Sequence, residues 1–152
     1  MVDINGIAHI QLTVSDMARS IPFYRRLFTE FGMTLVSDTP TSLYGVGGRT
    51  GIVISPASPE YAEESFKQRH PGLHHFCIRV RSYEDVDEVF VIAKDLGAKI
   101  VHAPDVDGFA PGYYSVLFED PDGIRIEVNH VPGQGLLAPG IGQVGSKDKS
   151  WI

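Results

Sequence analysis

Two stretches of this chain read almost alike: Gly6-Ile7-Ala8-His9-Ile10-Gln11-Leu12-Thr13-Val14 and Gly72-Leu73-His74-His75-Phe76-Cys77-Ile78-Arg79-Val80. The glycines align, a histidine falls at the same place in both (His9 and His75), and apolar residues match at Ile10/Phe76, Leu12/Ile78 and Val14/Val80. Internal similarity of this kind marks a repeated supersecondary unit. Each stretch alternates with period two, as a strand with one buried face does. The buried face is expected to carry Ala8, Ile10, Leu12 and Val14, then Phe76, Ile78 and Val80. His9, Gln11 and Thr13, then His75, Cys77 and Arg79, belong to the opposite face. His74 competes with His75, since a one-residue slip would exchange them. That slip would also expose Phe76, Ile78 and Val80, which favours His75.

A helix signal follows each strand. Ser82 and Asp85 form a capping-box pattern, Val86, Val89, Phe90 and Ala93 make an apolar stripe, and Gly97 closes the helix. In the first copy the stripe is Met17, Ile21, Tyr24 and Phe28, and Pro22 is expected to distort the early turns. Short strands come next. Asp120-Pro121-Asp122-Gly123 is a tight-turn sequence, so Ser115–Glu119 and Ile124–Val128 are expected to form a hairpin. Aligning Gly51 with Gly123 sets Ser55 opposite Glu127. The fold class is therefore α+β: two βαβββ modules at about residues 4–58 and 72–131, joined by a linker at 59–71, within a single domain covering 1–131. Residues 132–152 contain five Gly and two Pro and form a tail.

The totals narrow the function. A net charge of −6 without a local Lys/Arg cluster disfavours nucleic acid. No apolar run approaches the roughly 20 residues of a membrane span, and the first ten residues lack the pattern of a secretion signal. One cysteine, Cys77, allows no internal disulfide, so a cytoplasmic location is expected. Leu136, Leu137, Ile141, Val144, Trp151 and Ile152 on the tail are expected to be buried against a partner, making a homodimer.

His9, His75 and Glu127 share the face opposite the apolar one. Two imidazoles and one carboxylate leave open positions on a metal for substrate oxygens, and such an ion polarises carbonyls. A lone strand histidine is usually a hydrogen-bonded or exposed residue; the matched positions in two repeats favour the ligand reading. Gln11 and Cys77 should also face this site, with Cys77 read as a small buried filler. Tyr113 and Ser115 share the parity of Leu117 and either bind substrate or pack within the strand. His70, His102 and His130 lie near turns and read as surface residues.

Three segments together resemble the vicinal oxygen chelate superfamily, which includes glyoxalase I, extradiol dioxygenases, methylmalonyl-CoA epimerase and the fosfomycin- and bleomycin-resistance proteins. They are residues 7–28, residues 72–80, and the closing hairpin from Ala110 to His130. The resemblance covers about residues 4–131. It implies an eight-stranded cup and one divalent ion (Ni, Zn, Mn, Fe or Co) on His9, His75 and Glu127. It also implies a small oxygen-chelating substrate, with Glu127 as the catalytic group and a lyase, isomerase or dioxygenase activity. The alternative is a drug-binding or antibiotic-resistance protein of the same fold without turnover, which could be metal-free. Glyoxalase I and the epimerase carry a fourth ligand where this chain has Ser55. Dioxygenases and fosfomycin enzymes carry a tyrosine where it has Leu117. The thiol-transferring fosfomycin enzymes also carry a threonine where it has Gln11.

Overall fold

The computed structural model describes residues 1–139. The chain forms two compact units, the first Met1–Phe66 and the second beginning at Lys67. The change of unit falls inside the expected linker, where the one local element is a single 3-10 turn at Pro59–Tyr61.

The first unit runs β1 (His9–Val14), α1 (Met17–Glu30), β2 (Thr34–Thr39), β3 (Ser42–Gly47) and β4 (Thr50–Pro56), and its sheet order is β1-β4-β3-β2. The second unit runs β5 (His75–Arg79), α2 (Tyr83–Asp95), β6 (Lys99–Asp107), β7 (Tyr113–Glu119) and β8 (Arg125–His130), with the order β5-β8-β7-β6. Each unit is thus βαβββ: the opening strand lies parallel to the closing one, and the remaining pairs are antiparallel.

The helices sit where the sequence stripes require. Asp16 caps α1 by accepting from the Ala18 and Arg19 amides, and Tyr24, Leu27 and Phe28 are fully buried, while Leu12, Val14, Leu43, Ile52 and Ile54 are buried on the sheet. Pro22 does not break α1, which is continuous from Met17 to Glu30. Pro22 and Ala18 are both exposed, so the helical hydrogen bond that Pro22 cannot make is missing on the outer side of the helix. Phe28 packs closely against β3 at Gly45. A Cβ on Gly45 would come within 2.6 Å of its ring, so only glycine admits this contact. In α2 the capping box forms as expected: Ser82 Oγ accepts from the Asp85 amide at 3.1 Å and Asp85 Oδ2 from the Ser82 amide at 3.0 Å. Gly97 ends the helix at φ +71°.

The Asp120–Gly123 turn is held by its own first residue. Asp120 Oδ1 accepts from the amides of Asp122 (2.9 Å) and Ile124 (2.7 Å), and Gly123 takes φ +88°. Ile124, Ile126 and Val128 pack inward as expected. Glu127 and Asn129 on the opposite face are also buried, both at 4% exposure, so β8 is covered on two sides. Several expectations are corrected here. Ala8 precedes β1 and is exposed. His102 and His130 lie in β6 and β8 and are half-buried, not surface residues near turns. Cys77 retains exposed surface and is not a buried filler. Leu136 and Leu137 are exposed in the chain taken alone, while Ile141, Val144, Trp151 and Ile152 lie outside the described residues.

Candidate metal centre

The second unit gathers most of the expected site. β5 and β8 pair in parallel with Cys77 opposite Glu127 and His75 opposite Arg125. His75 therefore reaches diagonally across the sheet, and its Nε2 lies 3.1 Å from Glu127 Oε2. The other carboxylate oxygen, Oε1, accepts a 2.6 Å hydrogen bond from Tyr113 Oη on β7. Ser115, directly across from Asn129, donates from Oγ to Asp107 Oδ2 at 2.8 Å.

These contacts decide the charge of the site. Burial opposes an ionised Glu127, but the contacts from His75 and Tyr113 outweigh it and hold the carboxyl below its ordinary range. The Tyr113 phenol is pushed well above its usual value, first by burial and then by neighbouring Cys77 and Glu127, so it remains a proton donor. Although Cys77 keeps exposed surface, the protein atoms crowded around its sulfur and the Glu127 carboxylate push the thiol up, which leaves it a thiol and not a nucleophilic thiolate.

The donor pair fits a divalent ion. Two ligands held about 2.0–2.2 Å from one cation at near right angles stand roughly 3 Å apart, which is the His75–Glu127 separation. Tyr113 then occupies the place of an outer partner that fixes the carboxylate's orientation. Among the described residues, no three His, Cys, Asp or Glu side chains gather as a metal cluster. His9 stands on the first unit, exposed at the head of β1 as His75 heads β5. Gln11 is on the same face of β1, donating to Ser55 Oγ at 3.2 Å.

The registers correct one alignment. His9 pairs with Gly51 and His75 with Arg125, so the first-unit counterpart of Glu127 is Val53; Ser55 corresponds to Asn129. Gly51 corresponds to Arg125 and not to Gly123, a difference of two residues that keeps every side chain on its own face. The same comparison makes Tyr44 the counterpart of Leu117, each opposite the position in question. Tyr44 lies over Gly51, where a Cβ would meet its ring at 2.7 Å.

Strand alternation misses one residue near the site and misdirects another. Asn129 shares the period-two parity of Glu127, which is the available signal; it is buried beside Tyr113, and its Oδ1 has no hydrogen-bond partner among the described residues. His74 was expected to point to the other face, away from the ligands. Its Nδ1 instead lies 2.8 Å from His75 Nδ1, because His74 precedes β5 and strand alternation does not govern it.

The family model of the Glyoxalase/Bleomycin resistance protein/Dioxygenase superfamily matches residues 6–128. The chain belongs to that superfamily. It is 28% identical over 122 residues to the uncharacterized protein YqjT of Bacillus subtilis, covering 79% of this chain and 94% of YqjT. It is 26% identical over 126 residues to the metallothiol transferase FosB of Shouchella clausii, covering 83% of this chain and 80% of FosB. Among solved structures, a glyoxylase/bleomycin resistance protein/dioxygenase domain of Frankia sp. EAN1pec superposes with a TM-score of 0.69 at 23% identity, covering 84% of this chain and 98% of that one. The α+β fold of two βαβββ modules is the superfamily's fold. No helix among the described residues is long and apolar enough to cross a membrane.

Proposed function

We propose that this protein is a divalent-metal-dependent enzyme acting on a small oxygen-chelating substrate, with His9, His75 and Glu127 as metal ligands. The observation that carries the reading is the pairing of His75 Nε2 and Glu127 Oε2 at 3.1 Å, with Tyr113 fixing the far carboxylate oxygen. His9 is the third donor because it holds the strand position in the first unit that His75 holds in the second. A divalent ion held there supplies Lewis acidity that polarises substrate oxygens.

The chain's own groups set what else happens. The carboxylate is pinned at both oxygens and ionised at neutral pH, so Glu127 is ready to act as a ligand without first losing a proton. A carboxylate held below its ordinary pKa is a weak base, so a proton taken at Oε2 has to come from an acidic position on the substrate. Tyr113 keeps its own proton on Oη and stabilises the charged form of Glu127. Gln11, Tyr113 and Ser115 are the polar side chains assigned to substrate contact.

A homodimer belongs to the same reading. β1 and β5 are end strands of their sheets, with one edge of each unpaired within its sheet, and open edges favour coverage by another element. Likeness to FosB supports a thiol transfer as the reaction to try first, although Leu117 and Gln11 stand where thiol-transferring fosfomycin enzymes carry tyrosine and threonine. The test is metal analysis of the native protein joined to a screen of thiol transfer to an epoxide, catechol cleavage and 2-oxoaldehyde–thiol isomerisation. Turnover that needs the metal and disappears in His75→Ala supports the reading. A protein that binds no divalent ion at micromolar concentration overturns it.

A further inference from the structure

We propose that His74 is a positioning residue for His75, fixing through its Nδ1 the ring orientation and proton placement in which His75 binds metal. The inference rests on the metal reading above and adds a residue to it. The two rings meet edge to face, with centroids 5.0 Å apart and planes at 80°, and the contact between them is Nδ1 to Nδ1 at 2.8 Å. At that distance one nitrogen must carry a proton and the other a lone pair.

His75 is engaged at both nitrogens, and this links the two rings. In the geometry seen here, Nε2 donates to Glu127 Oε2, so a neutral His75 ring has its lone pair on Nδ1 and accepts from His74 Nδ1–H. A cation at Nε2 needs the lone pair there. The His75 proton then sits on Nδ1 and requires an acceptor, and His74 Nδ1 is in place to accept it if the His74 proton has moved to Nε2. Both rings stay neutral in each arrangement, with one proton apiece, so the exchange needs no net uptake or release of protons. A ligand histidine's second nitrogen is ordinarily held by a carboxylate or carbonyl; here the preceding residue does it.

The test compares zinc affinity, measured by competition with a chromophoric chelator, in the wild-type protein, His74→Leu and His74→Asn. Nitrogen-15 NMR reports ring tautomers in the wild-type protein. Loss of such an outer partner typically weakens metal binding about 10–100-fold. We expect that loss in His74→Leu. His74→Asn, whose Oδ1 can accept in place of Nδ1, is expected to stay within about threefold of wild type on the same grounds. In wild type, zinc is expected to move His74 to the Nε2–H tautomer. Equal affinities for wild type and His74→Leu, or equal losses in both variants, overturn the positioning role while leaving the metal site intact. Should His74→Leu fail to fold, a zinc-loaded wild type with His74 still protonated at Nδ1 overturns it alone. A wild-type protein that binds no zinc removes the underlying metal reading instead.

Discussion

Glu127 and His75 meet diagonally, not face to face: the parallel register sets Glu127 opposite Cys77, and His75 Nε2 reaches back to Oε2 at 3.1 Å. Two donors from neighbouring strands thus converge while each backbone stays regular, and the long reach of both side chains sets their separation. The site's behaviour follows from that geometry and from Tyr113 behind it.

Purified protein is expected to hold about one divalent ion per chain, as a site with three protein ligands would. His75→Ala and Glu127→Ala should each remove most of it. Elemental analysis after gel filtration decides the matter, and a His75→Ala protein with full metal content would falsify the ligand assignment.

Tyr113→Phe deletes the 2.6 Å hydrogen bond to Glu127 and leaves the carboxylate with fewer donors. Hydrogen bonds to charged groups contribute about 1.5–3 kcal/mol, and urea unfolding of the metal-free protein at pH 7 should show a loss of that order. The sign of its pH dependence follows from Glu127. Its folded pKa is depressed below the ordinary 4.5, so its stabilisation is present above that value and fades as pH falls through the folded pKa. The gap between wild type and Tyr113→Phe should therefore narrow under acid. A gap that widens as the pH drops would show that Tyr113 does not stabilise the ionised carboxylate.

Isomerisation of the methylglyoxal–glutathione hemithioacetal is expected to be weak. The first-unit counterpart of Glu127 is Val53, an aliphatic side chain that neither binds a cation nor accepts a proton. A positioned base is typically worth ~10²–10⁴-fold in such a transfer. Nickel- or zinc-loaded protein turning over the adduct at rates within tenfold of a true glyoxalase I contradicts this expectation.

Gly45→Ala should destabilise the first unit. The new Cβ would lie 2.6 Å from Phe28 Cδ2 and 2.9 Å from Cγ, and Phe28 is fully buried and cannot swing away. Overpacking of this kind costs about 1–3 kcal/mol. Denaturant midpoints should fall accordingly; an unchanged midpoint would mean that Phe28 and β3 separate easily.

A homodimer is expected at micromolar concentration by light scattering. A monomer there counts against burial of the tail's apolar residues by a partner.

The repeat, the two helices with their caps, and the Asp120–Gly123 turn were all readable in the sequence, because each depends on residues close along the chain. Period-two alternation likewise assigned His9, His75 and Glu127 to one kind of face. Alternation determines parity but is blind to a slip of two residues, which returns every side chain to its own face. For that reason the sequence could not tell Val53 from Ser55 as the counterpart of Glu127. The register of β1 on β4 and of β5 on β8 depends on packing between strand residues 42 and 50 positions apart, and only the folded units settle it. Tertiary structure also decided what meets at Glu127. Tyr113 arrives from a third strand, and His74 turns toward His75 because it stands just outside β5, where the pleat no longer dictates direction.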